Sequence, residues 1–161
     1  MKTKPLTLLL SLTFLVLFSG SSVVFGDDLQ DGRDAYHRKD YKTAYKLVAP
    51  LAEQGVADAQ NVLGVMYNLG RGVPQDYKEA VRLYRLSAEQ GEALAQYNLA
   101  LKYDKGQGVP QDYVSAHMWF NLCGSSGDKD CVSSIRHIEK MMSPSQIEKA
   151  QEMARNWKPK K

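Results

Sequence analysis

Most of the short motifs that carry catalytic chemistry are missing from this 161-residue chain. It contains no His-Glu-x-x-His pair, no G-x-S-x-G turn around a serine, and no glycine-rich loop followed by the lysine that phosphate binding requires. One Ser-x-x-Lys match occurs at Ser126 and Lys129, but it lies in a predicted turn and lacks a Lys-Thr-Gly partner. The sequence therefore predicts a protein that is not an enzyme and that has no cofactor.

A strong excess of positive charge is also absent. The chain has 21 Lys and Arg against 18 Asp and Glu, and two of the lysines lie among the first four residues. Without those two, 19 basic residues face 18 acidic ones, so the remaining chain is almost neutral. Binding to nucleic acid depends on clustered Lys and Arg, so we expect no nucleic-acid partner. The basic residues 158–161 are interpreted as a solvent-exposed tail.

Long apolar runs are missing except at the N-terminus. Two lysines precede residues 6–18, which are apolar apart from three hydroxyl side chains, and residues 19–26 are small and mostly polar. This order is typical of a secretory signal peptide, and the apolar run is too short to span a bilayer comfortably. We expect residues 1–26 to be removed before Asp27, the chain to be periplasmic or secreted, and no stable membrane insertion to remain afterwards. An uncleaved membrane anchor is the alternative.

The most informative pattern that is present is a repeat of 36 residues. The segment AQNVLGVMYNLGRGVPQDY at 59–77 returns as AQYNLALKYDKGQGVPQDY at 95–113, with 11 of 19 aligned positions identical. The same register extends backwards, since A-E-Q-G occurs at 52–55 and again at 88–91. A period of this length indicates stacked units that cannot bury their apolar faces alone.

Each repeat divides into two predicted helices. The first helix has an apolar face at spacings of three and four, and glycines and a proline end it. The second helix begins at Asp76, a good N-cap residue, with Glu79 three positions later. The positions predicted to be structural are Leu63, Gly64, Tyr67, Gly70 and Gly72, and one period later Leu99, Tyr103, Gly106 and Gly108.

All predicted elements are helical, so the expected fold class is all-α, an α/α solenoid of antiparallel helix pairs. The solenoid is predicted over residues 27–157. Its helix pairs are predicted at about 28–55, 57–91 and 93–127, followed by a helix within 129–142 and a C-terminal capping helix at 143–157. The capping helix has a clear start signal, Ser143 followed by a proline and, at the third helical position, Gln146.

These residues resemble the Sel-one-like repeat family, which is related to the tetratricopeptide repeat. The resemblance rests on the A-x-x-x-L-G-x-M-Y-x-x-G-x-G-V-x-Q-D-Y core at 59–77 and extends over about 32–157. Ala100 and Lys102 depart from the pattern, where Gly and an apolar residue are usual. The resemblance implies a right-handed superhelix that acts as an adaptor or scaffold in quality control, envelope assembly or signalling.

The expected function is therefore an exported, non-enzymatic scaffold that binds a protein or peptide partner. One alternative is an envelope regulator that docks to a cell-wall or quality-control enzyme. A lesser alternative comes from the cysteine-rich branch of the family, with which β-lactam binding is associated, and it would make the chain a β-lactam-binding or β-lactam-hydrolysing protein.

Cysteine is scarce, and Cys123 and Cys131 are the only two. One period earlier both positions carry small residues, which suggests that two helices approach closely there and that a disulfide can form. The same spacing resembles the Hcp-type cysteine-rich branch of the family. Free thiols are one alternative. A metal site with His117 and His137 is another, but the spacing is not that of a zinc finger and helix phase would scatter the histidines, so no metal is predicted.

A surface for a partner is predicted on the concave side, lined by the first helix of each pair. The apolar stripe of these helices must face the core, which leaves a second stripe at spacings of four and three. Its members are Asn61, Val65 and Asn68, and one period later Tyr97, Leu101 and Asp104. Asn amides can bond an extended backbone, and Tyr97 offers an amphipathic anchor. The alternative is that these side chains are simply solvent-exposed.

Overall fold

The computed structural model describes residues 21–125 and 127–160, with side chains from residue 26 onward. Within these residues every regular element is an α-helix, so the predicted all-α class is confirmed. The helices are α1 (Ser21–His37), α2 (Tyr41–Glu53), α3 (Ala57–Leu69), α4 (Tyr77–Glu89), α5 (Ala93–Lys105), α6 (Tyr113–Gly124), α7 (Lys129–Glu139) and α8 (Pro144–Asn156). Each helix packs on its neighbour in the chain from α1 to α7, and α8 packs back on α6, which gives a solenoid of helix pairs.

Helix α1 begins earlier than the sequence predicts. It starts at Ser21 and passes through the expected cleavage position before Asp27. Residues 1–20 lie outside the described residues, so the leader stays a prediction. No helix in the described part of the chain is long and apolar enough to cross a membrane.

Side-chain caps and glycines set the ends of the repeated helices. Asp76 begins α4, and its carboxylate accepts bonds from two first-turn N–H groups at 2.9 and 3.0 Å. Asp112 caps α6 in the same way. Gly70 and Gly106 end α3 and α5 with a left-handed φ of 64°, which a side chain would make costly. The repeat period thus arises from the same start and stop signals used twice.

The second glycine of each loop, Gly72 or Gly108, has a different role, because it allows one repeat to pack closely against the preceding repeat. A Cβ on Gly72 would lie 2.7 Å from the carbonyl oxygen of Tyr41, the first residue of α2. A Cβ on Gly108 would lie 2.3 Å from the carbonyl oxygen of Tyr77, the first residue of α4. Only glycine allows the loop to approach the preceding helix pair so closely.

The buried side chains form two clusters along the helix pairs, and the largest fully buried ones are Tyr84, Phe120, Met66, Leu83 and Leu99. A Cβ on Gly64 would lie 2.8 Å from the Tyr84 ring, so the small residue in α3 is what admits this aromatic side chain of α4. Of the positions that the repeat marks as structural, Leu63, Gly64 and Leu99 are buried in this core, and Tyr67 and Tyr103 are half-buried at its edge. The other four structural glycines lie in the loops.

The C-terminal helix closes the solenoid, and the tail after it turns back over the molecule. The Ser143 hydroxyl and the Gln146 side chain cap α8 reciprocally, as the start signal predicts. Trp157, which follows α8, packs edge-on against Trp119 with ring centroids 6.2 Å apart. Residues 158–160 are exposed, but the backbone N–H of Lys160 donates to the Glu89 carbonyl at 2.7 Å and its ammonium pairs with the Glu89 carboxylate at 2.8 Å. The tail is therefore attached at the end of α4.

Candidate functional site

The two asparagines of the predicted partner surface hold α3 to α5. Asn61 is 8% exposed, and its Oδ1 accepts a hydrogen bond from Asn98 Nδ2 at 3.0 Å. Asn68 Oδ1 accepts a hydrogen bond from the ammonium of Lys102. Val65, between them on α3, is half-buried and packs against the core. Alanine replacements at Asn61 or Asn68 would therefore disturb the contact between repeats as well as any binding.

Lys102 is the unusual member of this contact. It is 6% exposed, and its ammonium also donates to Gln107 Oε1 at 2.8 Å and lies 4.8 Å from the centre of the Tyr77 ring. No carboxylate pairs with it among the described residues. Burial, with a smaller contribution from the charge of Lys105, lowers the pKa of Lys102 below the usual 10.5. The ammonium is held by amide oxygens and an aromatic face alone.

Replacing Lys102 by Met, the residue at the matching position 66, should remove a pH-dependent part of the stability. Because the folded-state pKa lies below the unfolded one, the unfolded chain binds the proton more tightly. The contribution of Lys102 to the free energy of unfolding therefore rises as the pH rises towards 10.5. We expect the wild type to gain stability relative to Lys102→Met between neutral and alkaline pH, measured by urea unfolding.

The other titrating groups are common to the wild type and Lys102→Met, so most of their contribution to the free energy of unfolding cancels in the comparison. If the difference between wild type and Lys102→Met is the same at neutral and alkaline pH, the ammonium is not desolvated as described.

Two cavities follow one another between α5 and α7, over α6. The first has a volume of about 130 Å³ and is lined by Ala93, Leu94, Tyr97, Asp128, Asp130 and Cys131. The second has a volume of about 310 Å³ and is lined by Leu101, Asp104, Phe120, Ser133, Ser134, His137 and Ile138. We call the two together the α5–α7 groove. The structure thus brings Tyr97, Leu101 and Asp104 to one surface and leaves Asn61, Val65 and Asn68 away from it.

The groove combines apolar surface with acidic groups. The Tyr97 ring is held against Phe120, with centroids 5.7 Å apart, and Leu94 is 61% exposed at one end. The Asp128 carboxylate caps α7 by accepting from two backbone N–H groups at 2.9 and 3.0 Å, which leaves Asp104 and Asp130 as the other acidic groups along it. This arrangement suits a segment that carries an apolar side chain and a positive charge.

A serine, a histidine and an aspartate also meet in the second cavity, as Ser134, His137 and Asp104. The sequence motifs could not reveal this because Asp104 is contributed by α5 and the other two residues by α7. Among the described residues, no side-chain hydrogen bond or ion pair joins the His137 imidazole to Ser134 or to Asp104, so the geometry shows no nucleophile paired with its base. Ser126, the serine of the Ser-x-x-Lys match, lies outside the described residues.

The predicted disulfide is present between Cys123 at the end of α6 and Cys131 at the start of α7. The Sγ atoms are 2.09 Å apart and the Cα atoms 6.0 Å apart. The metal alternative is not assembled: within the described residues no group of three or more His, Cys, Asp or Glu could hold an ion. His117 is fully buried with Nε2 3.0 Å from Glu139 Oε1, whereas His137 is exposed in the groove.

The described residues form an all-helical solenoid of repeated helix pairs, and an open groove lies between α5 and α7, the first helices of two successive pairs. These features place the chain in the class of helical-repeat scaffolds. Two successive blocks, residues 57–92 and 93–128, match the Sel1 repeat. Among solved structures, a protective antigen of uropathogenic Escherichia coli strains displaying an SLR fold is similar at 26% identity and a TM-score of 0.78, over 83% of this chain and 29% of that one. The chain thus contains two Sel1 repeats, as the sequence resemblance indicates.

A second solved structure gives the same result. A Sel1 repeat protein from Oxalobacter formigenes is similar at 30% identity and a TM-score of 0.65, over 68% of this chain and 45% of that one. Comparison with curated proteins gives no match. The chain spans less than half the length of either solved structure, 29% and 45%.

Proposed function

We propose that this chain is an exported, non-enzymatic scaffold that binds a segment of a protein partner in the α5–α7 groove. The observation that carries the proposal is the pair of cavities that Tyr97, Leu101 and Asp104 line together with α7. The alternative role, a regulator that docks to an envelope enzyme, would use the same groove and differs only in the identity of the partner.

The groove favours a peptide-like occupant over a small ligand. Its two cavities, about 130 and 310 Å³, are each small. Together they run along α5 and α7, as an extended or helical bound segment would require. Packing against Phe120 already orders the Tyr97 ring, so binding loses little side-chain entropy there. The acidic groups Asp104 and Asp130 would attract a basic residue and favour one orientation of the bound segment.

Export is supported by two independent features. The disulfide between Cys123 and Cys131 is of the kind that persists in oxidising compartments. The N-terminal residues have the order of a secretory leader. Both features support a partner in the periplasm or outside the cell.

A site-specific photo-crosslinker tests this function directly. Placed at Ser133, which is exposed and lines the groove, it should yield an adduct with a partner in the exported fraction of cells. Placed at Lys46, which is exposed on α2, it should not give that adduct. Combining the Ser133 probe with Tyr97→Ala and Asp104→Asn should reduce the adduct at least tenfold, read by mass spectrometry.

Two results would contradict the proposal. An adduct that persists in the Tyr97→Ala and Asp104→Asn background would show that the groove does not hold the partner. Equal adducts from Ser133 and Lys46 would indicate non-specific contact. Circular dichroism of each variant ensures that a lost adduct reflects the groove and not unfolding.

A further inference from the structure

The end of the second helix occurs twice with the same sequence and the same backbone. Residues 52–55 and 88–91 both read A-E-Q-G. Gln54 and Gln90 cap α2 and α4 with φ of −75° and −83°, and the glycines that follow have φ of 90° and 97°. Any surface that these residues form at the end of α4 is therefore formed again at the end of α2.

At the end of α4 this surface holds the tail of the chain itself. Lys160 bonds to Glu89 through both its backbone N–H, at 2.7 Å to the carbonyl, and its ammonium, at 2.8 Å to the carboxylate. A Cβ on Gly91 would lie 3.9 Å from Pro159 and 4.0 Å from the Trp157 ring. The end of α4 thus contacts three elements of the tail: the aromatic side chain of Trp157, an extended backbone, and Lys160, which follows Trp157 by three residues.

At the end of α2 no described residue covers the equivalent surface. A cavity of about 430 Å³ lies between α2 and α4 over α3, and Glu53 and Leu83 line it where Glu89 and Trp119 stand one repeat later. We call it the α2–α4 groove. A Cβ on Gly55 would meet nothing within 4 Å, in contrast to Gly91. The full lining is Tyr45, Ala49, Ala52, Glu53, Gln60, Leu63, Tyr67, Glu79, Arg82, Leu83 and Leu86.

The groove presents the chemistry that the tail requires. Tyr45 and Leu86 are 37% and 38% exposed at its rim and offer apolar surface for an aromatic ring. Its basic residue, Arg82, is paired with Glu79 at 2.6 Å. Glu53 is exposed and has no ion pair among the described residues, so its carboxylate is available for a cation as Glu89 is for Lys160.

We propose that the α2–α4 groove binds a protein partner through an extended segment in which a lysine follows an aromatic residue by three positions. The aromatic ring lies on Tyr45 and Leu86, and the lysine pairs with Glu53. The tail of the same chain is not the occupant, because it is attached one repeat further along at Glu89. This second surface does not depend on the α5–α7 groove.

A labelled peptide with the sequence of residues 156–160, NWKPK, is the probe, and fluorescence polarisation with the purified oxidised protein is the measurement. The peptide should bind, and binding should weaken at least tenfold in Glu53→Gln and in Leu86→Asp. Replacing the tryptophan of the peptide by alanine should weaken binding similarly. Glu89→Gln, which removes the ion pair of the protein's own tail, should retain binding at Glu53. Thermal melts show that each variant is folded.

Four outcomes would overturn the proposal. The peptide fails to bind the folded wild type, or it binds equally well to Glu53→Gln. Binding that is lost in Glu89→Gln but not in Glu53→Gln would mean that the peptide only replaces the chain's own tail. The last outcome is measured by sedimentation. A concentration-dependent dimer that Glu53→Gln abolishes would assign the groove to the tail of a second copy. None of these results bears on the α5–α7 groove, which the Ser133 probe tests separately.

Discussion

Replacing Gly108 by Ala should lower the free energy of unfolding by about 3–4 kcal/mol, the largest effect we expect from a single added methyl group. Two costs combine at this residue. Its φ of 77° is unfavourable for any residue with a side chain. In addition, the new Cβ would lie 2.3 Å from the carbonyl oxygen of Tyr77 and 2.9 Å from the backbone nitrogen of Lys78. Backbone atoms at the start of α4 cannot move aside as the end of a flexible side chain can.

A substitution at Gly55 measures the cost of the unfavourable φ without the cost of the clash with backbone atoms. Gly55 has a similar left-handed φ of 90°, but a Cβ there would meet no atom of the described residues within 4 Å. Gly55→Ala should therefore cost only the backbone strain, about 1 kcal/mol. Urea unfolding of the two variants measures the difference, which is the cost of pushing one repeat away from the next. Equal costs in Gly55→Ala and Gly108→Ala would show that the loop can move aside and that Gly108 does not fix the packing of repeats.

The same comparison explains which parts of the fold the sequence could predict. The period of 36 residues, the N-cap at Asp76 and the helix-ending Gly70 are local signals, and they predict the helices from α2 onward to within a few residues. The task of Gly108 is not local. Its contact lies on the preceding helix pair, so the sequence marks it as a loop glycine without revealing what it touches.

The candidate site could be predicted only in part, for the same reason. Tyr97, Leu101 and Asp104 follow from helix phase, but the opposite wall of their groove belongs to α7, where the repeat pattern has dissolved. Asn61 and Asn68 have the right phase but bond to Asn98 and to Lys102, which lie 37 and 34 residues later in the chain. A pattern within one repeat cannot show that its polar residues are used by the next.

The α2–α4 groove could not be predicted from the sequence. The duplicated A-E-Q-G is visible in the sequence, but its meaning depends on where the tail goes after α8. Residues 158–160 carry no helical pattern, and a short basic terminus is ordinarily solvated. The bonds between Lys160 and Glu89 reveal that one copy of the surface is occupied, whereas no described residue covers the other.

Removing the disulfide should have the second large effect, and it should be concentrated in α7. The bond closes a loop over a sequence separation of 8, so its loss should cost about 2–3 kcal/mol of stability. Helix α7 has little else to hold it, because its only buried residues are Cys131 and Ile138, aided by the contact of Glu139 with the buried His117. In Cys123→Ala with Cys131→Ala, hydrogen exchange should accelerate in α7 far more than in α3 and α4.

A reductant supplies the matched control, since it should lower the melting temperature of the wild type but leave the double variant unchanged. Uniform acceleration of exchange along the chain would mean that the bond stabilises the whole solenoid and does not specifically hold α7. The distinction matters for binding, because α7 forms one wall of the α5–α7 groove and Cys131 itself lines it. If α7 loosens alone, the Ser133 probe should lose its partner under reducing conditions while the helix pairs before it stay folded. Binding would then depend on the oxidising compartment that the disulfide itself indicates.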